Sequence, residues 1–82
     1  MFLHVVKAEY VTDYKIKIEF NNGETGIVDL QNELSGEIFE SLKDLDNFKN
    51  FHVDPEIDTI VWENGADLAP EFLYENMKKV AS

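Results

Sequence analysis

Thr59-Ile60-Val61-Trp62-Glu63-Asn64-Gly65-Ala66-Asp67-Leu68-Ala69-Pro70-Glu71-Phe72-Leu73-Tyr74 holds the only tryptophan of the chain and one of its two prolines. Thr59 to Trp62 is a β-branched and aromatic run, which predicts a strand. Asn64-Gly65 ends it, because both residues accept positive φ at little steric cost. Pro70 suits the first turn of a helix, where its missing N–H would have no partner. Strand, turn and helix start follow one another so closely that they fix how the last helix meets the sheet.

Working outward from this stretch, the helix is expected to run from about Pro70 to Val80. Leu73, Met77 and Val80 form its i, i+4, i+7 stripe, with Phe72 beside it. Glu75 precedes Lys79 by four residues, and Lys78-Lys79 complement the helix dipole. Upstream, Phe51 to Asp54 predicts a strand, and Pro55-Glu56-Ile57-Asp58 turns it into Thr59. Between Gln31 and Asn50 the apolar period becomes helical: Leu34, Ile38, Phe39 and Leu42 suggest one or two short turns. Asp44 is placed to cap a further piece, Leu45 to Asn50, with Leu45 and Phe48 inward.

Nearer the N-terminus, Tyr14, Ile16, Ile18 and Phe20 alternate with Lys15, Lys17 and Glu19, a strand with one buried and one wet face. Leu3 to Val11 is a strand of mixed pattern: Val6, Ala8 and Tyr10 share one face, Leu3, Val5 and Val11 the other. Asn21-Asn22-Gly23 signals a hairpin into the strand Thr25 to Leu30. Two registers satisfy it. A two-residue turn sets Ile27 beside Ile18, whereas a three-residue loop with a bulge sets Gly26 there and turns Val28 inward. The fold class expected is a single α+β domain over residues 1–82. It has a small antiparallel or mixed sheet of about five strands, ordered β-β-β, short helices, β-β, α, against a C-terminal helix.

Composition limits function more than it assigns it. The 82 residues are 44% hydrophobic and contain no cysteine, which removes disulfides, thiolate zinc sites and cysteine nucleophiles. No cleavable leader pattern and no span of about 20 apolar residues is present, so a soluble, cytoplasmic domain is expected. Charge is unevenly placed. Residues 1–20 balance to zero, whereas residues 21–77 hold fourteen acids against Lys43 and Lys49, and the whole chain carries −10. There is no arginine. Nucleic acid requires a cationic footprint, so direct binding to it is not expected. A basic protein is the natural complement of this surface, although such a charge also simply keeps a small protein soluble.

Several single residues have both a structural and a functional reading. Asp67, between the turn and Pro70, is expected to accept hydrogen bonds from the first turn of the helix, since Ala69 is a poor N-cap. The alternative makes it an acidic anchor beside Trp62. Asp29 is expected to face water or to bond backbone amides at its strand end. His52 and Asp54 share a strand face and, with His4 or Asp58, would make a thin metal set. The run after Asp54 lacks the glycine and glutamate of a calcium loop. Serines lack a nucleophile context and glycines match no phosphate loop. We therefore assign no catalytic residue, no cofactor and no metal. Trp62 and Phe72 are expected in the core. The candidate partner or ligand patch is Trp62, Asn64, Asp67 and Tyr74.

Phe20-Asn21-Asn22-Gly23-Glu24, Gly26-Ile27-Val28-Asp29-Leu30, Leu42-Lys43-Asp44 with Phe48, and Val61 to Glu71 with Leu73-Tyr74 resemble a small bacterial family, domain of unknown function 2442. The resemblance covers nearly the whole chain. It implies an α+β fold and no activity. It further implies, for members that stand alone, a neighbouring small protein in an arrangement like a toxin–antitoxin pair. The reading taken forward is a non-catalytic, acidic protein-interaction module with a basic protein partner, regulatory or antitoxin-like. A small-ligand sensor with a pocket near Trp62 and Asp67 is the alternative, and a metal-assisted hydrolase the third.

Overall fold

A computed structural model describes residues 2–79. Six strands and three α-helices follow in the order β1 (Val5–Thr12), β2 (Lys15–Phe20), β3 (Thr25–Asp29), α1 (Glu37–Glu40), α2 (Leu45–Phe48), β4 (Phe51–Asp54), β5 (Thr59–Trp62), α3 (Pro70–Asn76) and β6 (Met77–Lys79). The α+β class and the C-terminal helix are as expected. The strands, however, form two antiparallel sheets, β1-β2-β3-β6 and the hairpin β4-β5.

The alternation in β2 buries Ile16, Ile18 and Phe20 and leaves Lys17 and Glu19 wet. The register of β3 is the one with the three-residue loop. The Gly23 N–H donates to the Phe20 carbonyl at 3.0 Å with Gly23 at φ +85°, and Ile18 stands opposite Gly26. Val28 is therefore fully buried opposite Ile16.

The mixed pattern of β1 resolves into two bulges. Val5 pairs with Phe20 but Lys7 with Glu19, and Tyr10 pairs with Ile16 but Thr12 with Lys15. The extra residues are Val6 and Val11, which stand 50% and 43% exposed. One extra residue switches the pleat, so Val5 is buried while Ala8 and Tyr10, odd-spaced from it, also pack on the core. The outward Val5 N–H goes to the Asp58 carbonyl at 2.9 Å, tying the β4-β5 turn to this edge. That hairpin thus joins the first sheet by packing and this bond rather than as further strands.

The second layer lies over the inner face of the four-stranded sheet. Asp44 caps α2 by accepting from the Asp46 N–H at 3.0 Å. The cap delivers Phe48 into the core, edge-on to Tyr14 with ring centroids 5.2 Å apart and 5.8 Å from Trp62. Phe39 and Phe51 meet Trp62 by their edges. Leu30, Leu34, Leu42, Ile60, Ala66 and Leu73 complete the core, while Ile38 is 47% exposed.

Two expectations about the C-terminal segment are corrected. The helix stops at Asn76, and Met77, at φ −79° and ψ 153°, turns the chain into β6. Its i, i+4 stripe reads equally well as a helix ending at a sheet edge. The pairing that decides is tertiary, because Met77–Lys79 completes β3 through Val28, Ile27 and Gly26. Lys79 accordingly meets Glu24 rather than Glu75. Val80, the last residue of the expected stripe, lies outside the described residues.

The other correction concerns Asp67, which is exposed and does not cap α3; the N-cap position is Ala69 and no side chain bonds there. Residues 67 and 68 are held extended along β5, by the Val61–Asp67 bridge and by the Thr59 hydroxyl donating to the Leu68 carbonyl at 2.5 Å. This draws the Asp67 backbone into the sheet.

Candidate functional site

The turn after β5 builds the site. The Gly65 N–H closes onto the Trp62 carbonyl, and the Trp62 N–H donates to the Ala66 carbonyl, both at 2.9 Å. At the tip, Asn64 Oδ1 accepts from the Ala66 N–H at 3.0 Å. Its Nδ2 donates to the Ile38 carbonyl at 2.6 Å and to Ser41 Oγ at 3.1 Å. Asn64 thereby clamps the end of β5 to the helical segment. Trp62, 2% exposed, donates its indole N–H to the Phe48 carbonyl at 2.8 Å, joining the same two parts from below.

Between them lies a cavity of about 320 Å³, walled by Trp62, Glu63 and Asn64 on one side and by Ser41, Leu42, Asn47 and Asn50 on the other. Asn47 Nδ2 donates to the Ser41 carbonyl at 3.0 Å, and Asn50 Nδ2 to the Asp46 carbonyl at 3.1 Å. Of the four patch residues expected from sequence, Trp62 and Asn64 border this cavity; Asp67 and Tyr74 are not among its lining residues. Ser41, Asn47, Asn50 and Glu63 were missed. The i, i+3 spacing of Asn47 and Asn50 was their one signal, and it is shared by any solvated helix face.

Tyr74 belongs to a second cluster. Its ring stands edge-on to Phe20, centroids 5.2 Å apart, and its hydroxyl donates to Glu24 Oε2. Glu24 Oε1 lies 2.5 Å from Lys79 Nζ. The cluster fastens the β2-β3 hairpin to α3 and β6. Lys79, and then the Tyr74 hydroxyl, hold the Glu24 carboxyl below the usual carboxylate range. Glu24 in turn raises Tyr74 and Lys79 above their ordinary values.

A carboxylate whose pKa falls on folding stabilises the fold above its unfolded value, about 4.3, and loses that contribution as pH falls through the folded value. Raised Tyr and Lys groups contribute below their unfolded values, near about 10, and lose it as pH rises through the folded ones. Glu24→Gln is therefore expected to lower the melting temperature most between about pH 5 and pH 10 and to converge on the parent protein outside that window. Melting curves across pH check this; a constant offset down to about pH 2 would contradict it.

His4 Nε2 lies 3.3 Å from Asp58 Oδ2, and Asp54 Oδ1 accepts from the Glu56 N–H at 2.8 Å. His52 is exposed on β4, opposite Val61. Among the described residues no group of three or more His, Asp or Glu side chains is arranged to hold a metal ion. Asp29 Oδ1 accepts from the Gln31 N–H at 3.0 Å, at the strand end as expected. Among the described residues no helix is long and apolar enough to cross a membrane.

Charge divides along the same lines as the layers. The segments that build the four-stranded sheet, residues 2–30 and 77–79, hold five acids and five lysines. Across its outer face Lys7 stands opposite Glu19, Glu9 opposite Lys17 and Lys15 opposite Asp29. Residues 31–76, the helical and hairpin layer, hold twelve acids against Lys43 and Lys49, so the whole −10 lies there. Of those acids, among the described residues, Glu40 meets Lys43 at 3.1 Å and Asp58 meets His4.

The model of one protein family, described as protein of unknown function (DUF2442), matches residues 5–79. No curated protein and no solved structure matches the chain.

Proposed function

Since the chain belongs to the DUF2442 family, which carries no assigned activity into the argument, we propose that it is a non-catalytic interaction module whose acidic layer engages a basic protein. The observation that carries the reading is the confinement of the entire net charge of −10 to residues 31–76, over a sheet whose five acids and five lysines cancel, three pairs of them directly across strands. A charge kept only for solubility would have no reason to avoid one layer. One that steers a partner must be one-sided, because opposed faces of like potential give no orientation. The absence of cysteine and the lack of a catalytic constellation in the sequence suit a cytoplasmic, regulatory or antitoxin-like role of this kind.

The test is co-purification of the tagged protein at its native level from its own source, at low and at high salt. One basic partner, retained at low salt and released at high salt, is expected, because exposed charge pairs are screened over about 10 Å at 0.1 M ionic strength. Recovery of no partner at either salt concentration would overturn the proposal.

The small-ligand sensor remains a second reading, on the strength of one observation, the cavity of about 320 Å³ that Trp62 and Asn64 border. A metabolite that binds only the folded chain would raise its melting temperature.

A further inference from the structure

We infer that the cavity between Trp62 and α2 is a receptor for one arginine side chain of the basic partner. This rests on the interaction reading above and names its point of contact.

The chemistry of the walls carries the inference. The Nδ2 atoms of Asn47 and Asn50 face the carbonyl oxygens of Ser41 and Asp46, which can only accept. Each amide is therefore oriented by its partner; its oxygen has no partner among the described residues, and its second N–H is likewise uncommitted. Asn64 spends its amide differently, with the oxygen on Ala66 and the nitrogen on Ile38 and Ser41. Having no N–H to spare, it shapes the wall. The exposed carboxylate of Glu63 adds only acceptors, and the Trp62 indole N–H is committed to Phe48.

The site thus carries two amide oxygens beside spare amide N–H groups and the Ser41 hydroxyl, and the one formal charge on its wall is the Glu63 carboxylate, which favours a positively charged occupant rich in donors. A guanidinium presents five N–H donors in one plane and pairs with a carboxylate through two parallel bonds, whereas an ammonium presents three from a point. The volume, about 320 Å³, lies at the small end of the range of roughly 300–1,000 Å³ for ligand pockets, the scale of a single side chain. An anion would meet the Glu63 carboxylate and the negative potential of the acidic layer. Asp44 and Asp46, in the cap and first turn of α2, add negative potential beside the site.

The experiment titrates the 15N-labelled full chain with Nα-acetyl-L-arginine N-methylamide at constant ionic strength, with the capped lysine analogue in parallel. Saturable shifts centred on Ser41, Asn47, Asn50, Glu63 and Asn64 are expected, with the arginine probe the tighter of the two. Glu63→Gln is expected to weaken the arginine probe about tenfold, the loss of a charge-assisted hydrogen bond. Asn50→Ala is expected to weaken it a few-fold while the spectrum stays that of the folded chain. Linear shifts spread over the acidic layer, equal affinity for the lysine probe, or indifference to Glu63→Gln would each overturn the inference. The two proposals fail separately. A co-purified partner together with a linear titration removes the pocket and keeps the partner, whereas a saturable titration without a partner does the reverse.

Discussion

Trp62→Ala is expected to destabilise the chain by about 3–5 kcal/mol, the range for emptying a buried tryptophan site. At about 0.05–0.15 kcal/mol per residue, a domain of this length has roughly 4–12 kcal/mol in total, so the variant should sit near or beyond its limit. Three losses combine. The core loses its largest fully buried side chain, Phe39, Phe48 and Phe51 lose the ring they all meet, and the Phe48 carbonyl loses its indole donor. Far-UV circular dichroism against urea is the appropriate probe, because the substitution removes the only tryptophan fluorophore. A midpoint roughly 2–5 M lower is expected, given slopes of about 1–1.5 kcal/mol/M for a chain of this size. A shift under about 0.5 M would show that the cluster is not the centre of the core. Trp62→Phe separates the terms: it keeps most of the packing and leaves the Phe48 carbonyl unpaired, for about 1–3 kcal/mol.

Gly26→Ala is the second large effect, and it acts at a distance from that core. A Cβ at residue 26 would lie 2.5 Å from Met77 Sδ, 2.8 Å from Met77 Cγ and 2.9 Å from the Lys78 carbonyl oxygen. The methionine side chain is flexible and can turn aside. The carbonyl has none, because it belongs to the strand that pairs with Gly26, Ile27 and Val28. The variant must therefore push β6 off the sheet edge or distort β3, at a cost of about 1–3 kcal/mol for forced overpacking. Hydrogen exchange is expected to show protection lost first at Met77, Lys78 and Lys79 and at their partners on β3. Adding Met77→Ala should restore only part of the stability, since the contact with the Lys78 carbonyl remains. Full restoration would mean that the thioether alone made the glycine necessary.

Both predictions concern the frame on which the acidic layer is mounted. Trp62 fixes the β5 turn against α2 from the core side, and Asn64 fixes it from the solvent side through Ile38 and Ser41. The cavity exists because these two ties hold the turn and the helix a fixed distance apart. Its polar walls can vary without loss of the fold, since Asn47, Asn50 and Glu63 are all exposed.

The sequence by itself determined the α+β class, the strand at Ile16, Ile18 and Phe20, the Asp44 cap, the turn at Asn64-Gly65 and the helix start at Pro70. Each depends on residues a few positions apart, where side-chain alternation, φ preference or a single capping bond decides the outcome locally. Everything settled by distant pairing was left to the tertiary structure. Val28 rather than Ile27 faces inward because the hairpin loop takes three residues, a choice between two registers that the pattern of β3 alone satisfies equally. Val5 and Ala8 share the core because the bulge at Val6 reverses the pleat between them. Met77–Lys79 leaves the helix because the open edge of β3 offers backbone partners from some fifty residues away in the chain. Asp67 is taken from the helix by β5 for the same reason. The site follows this division: Trp62 and Asn64 stand out in the sequence by residue type, whereas Ser41, Asn47, Asn50 and Glu63 become one surface only when the turn after β5 closes against α2. Hydrogen bonds across the fold fix Asn64 at that surface, whereas Asn47 and Asn50 are oriented by carbonyls within their own helical segment.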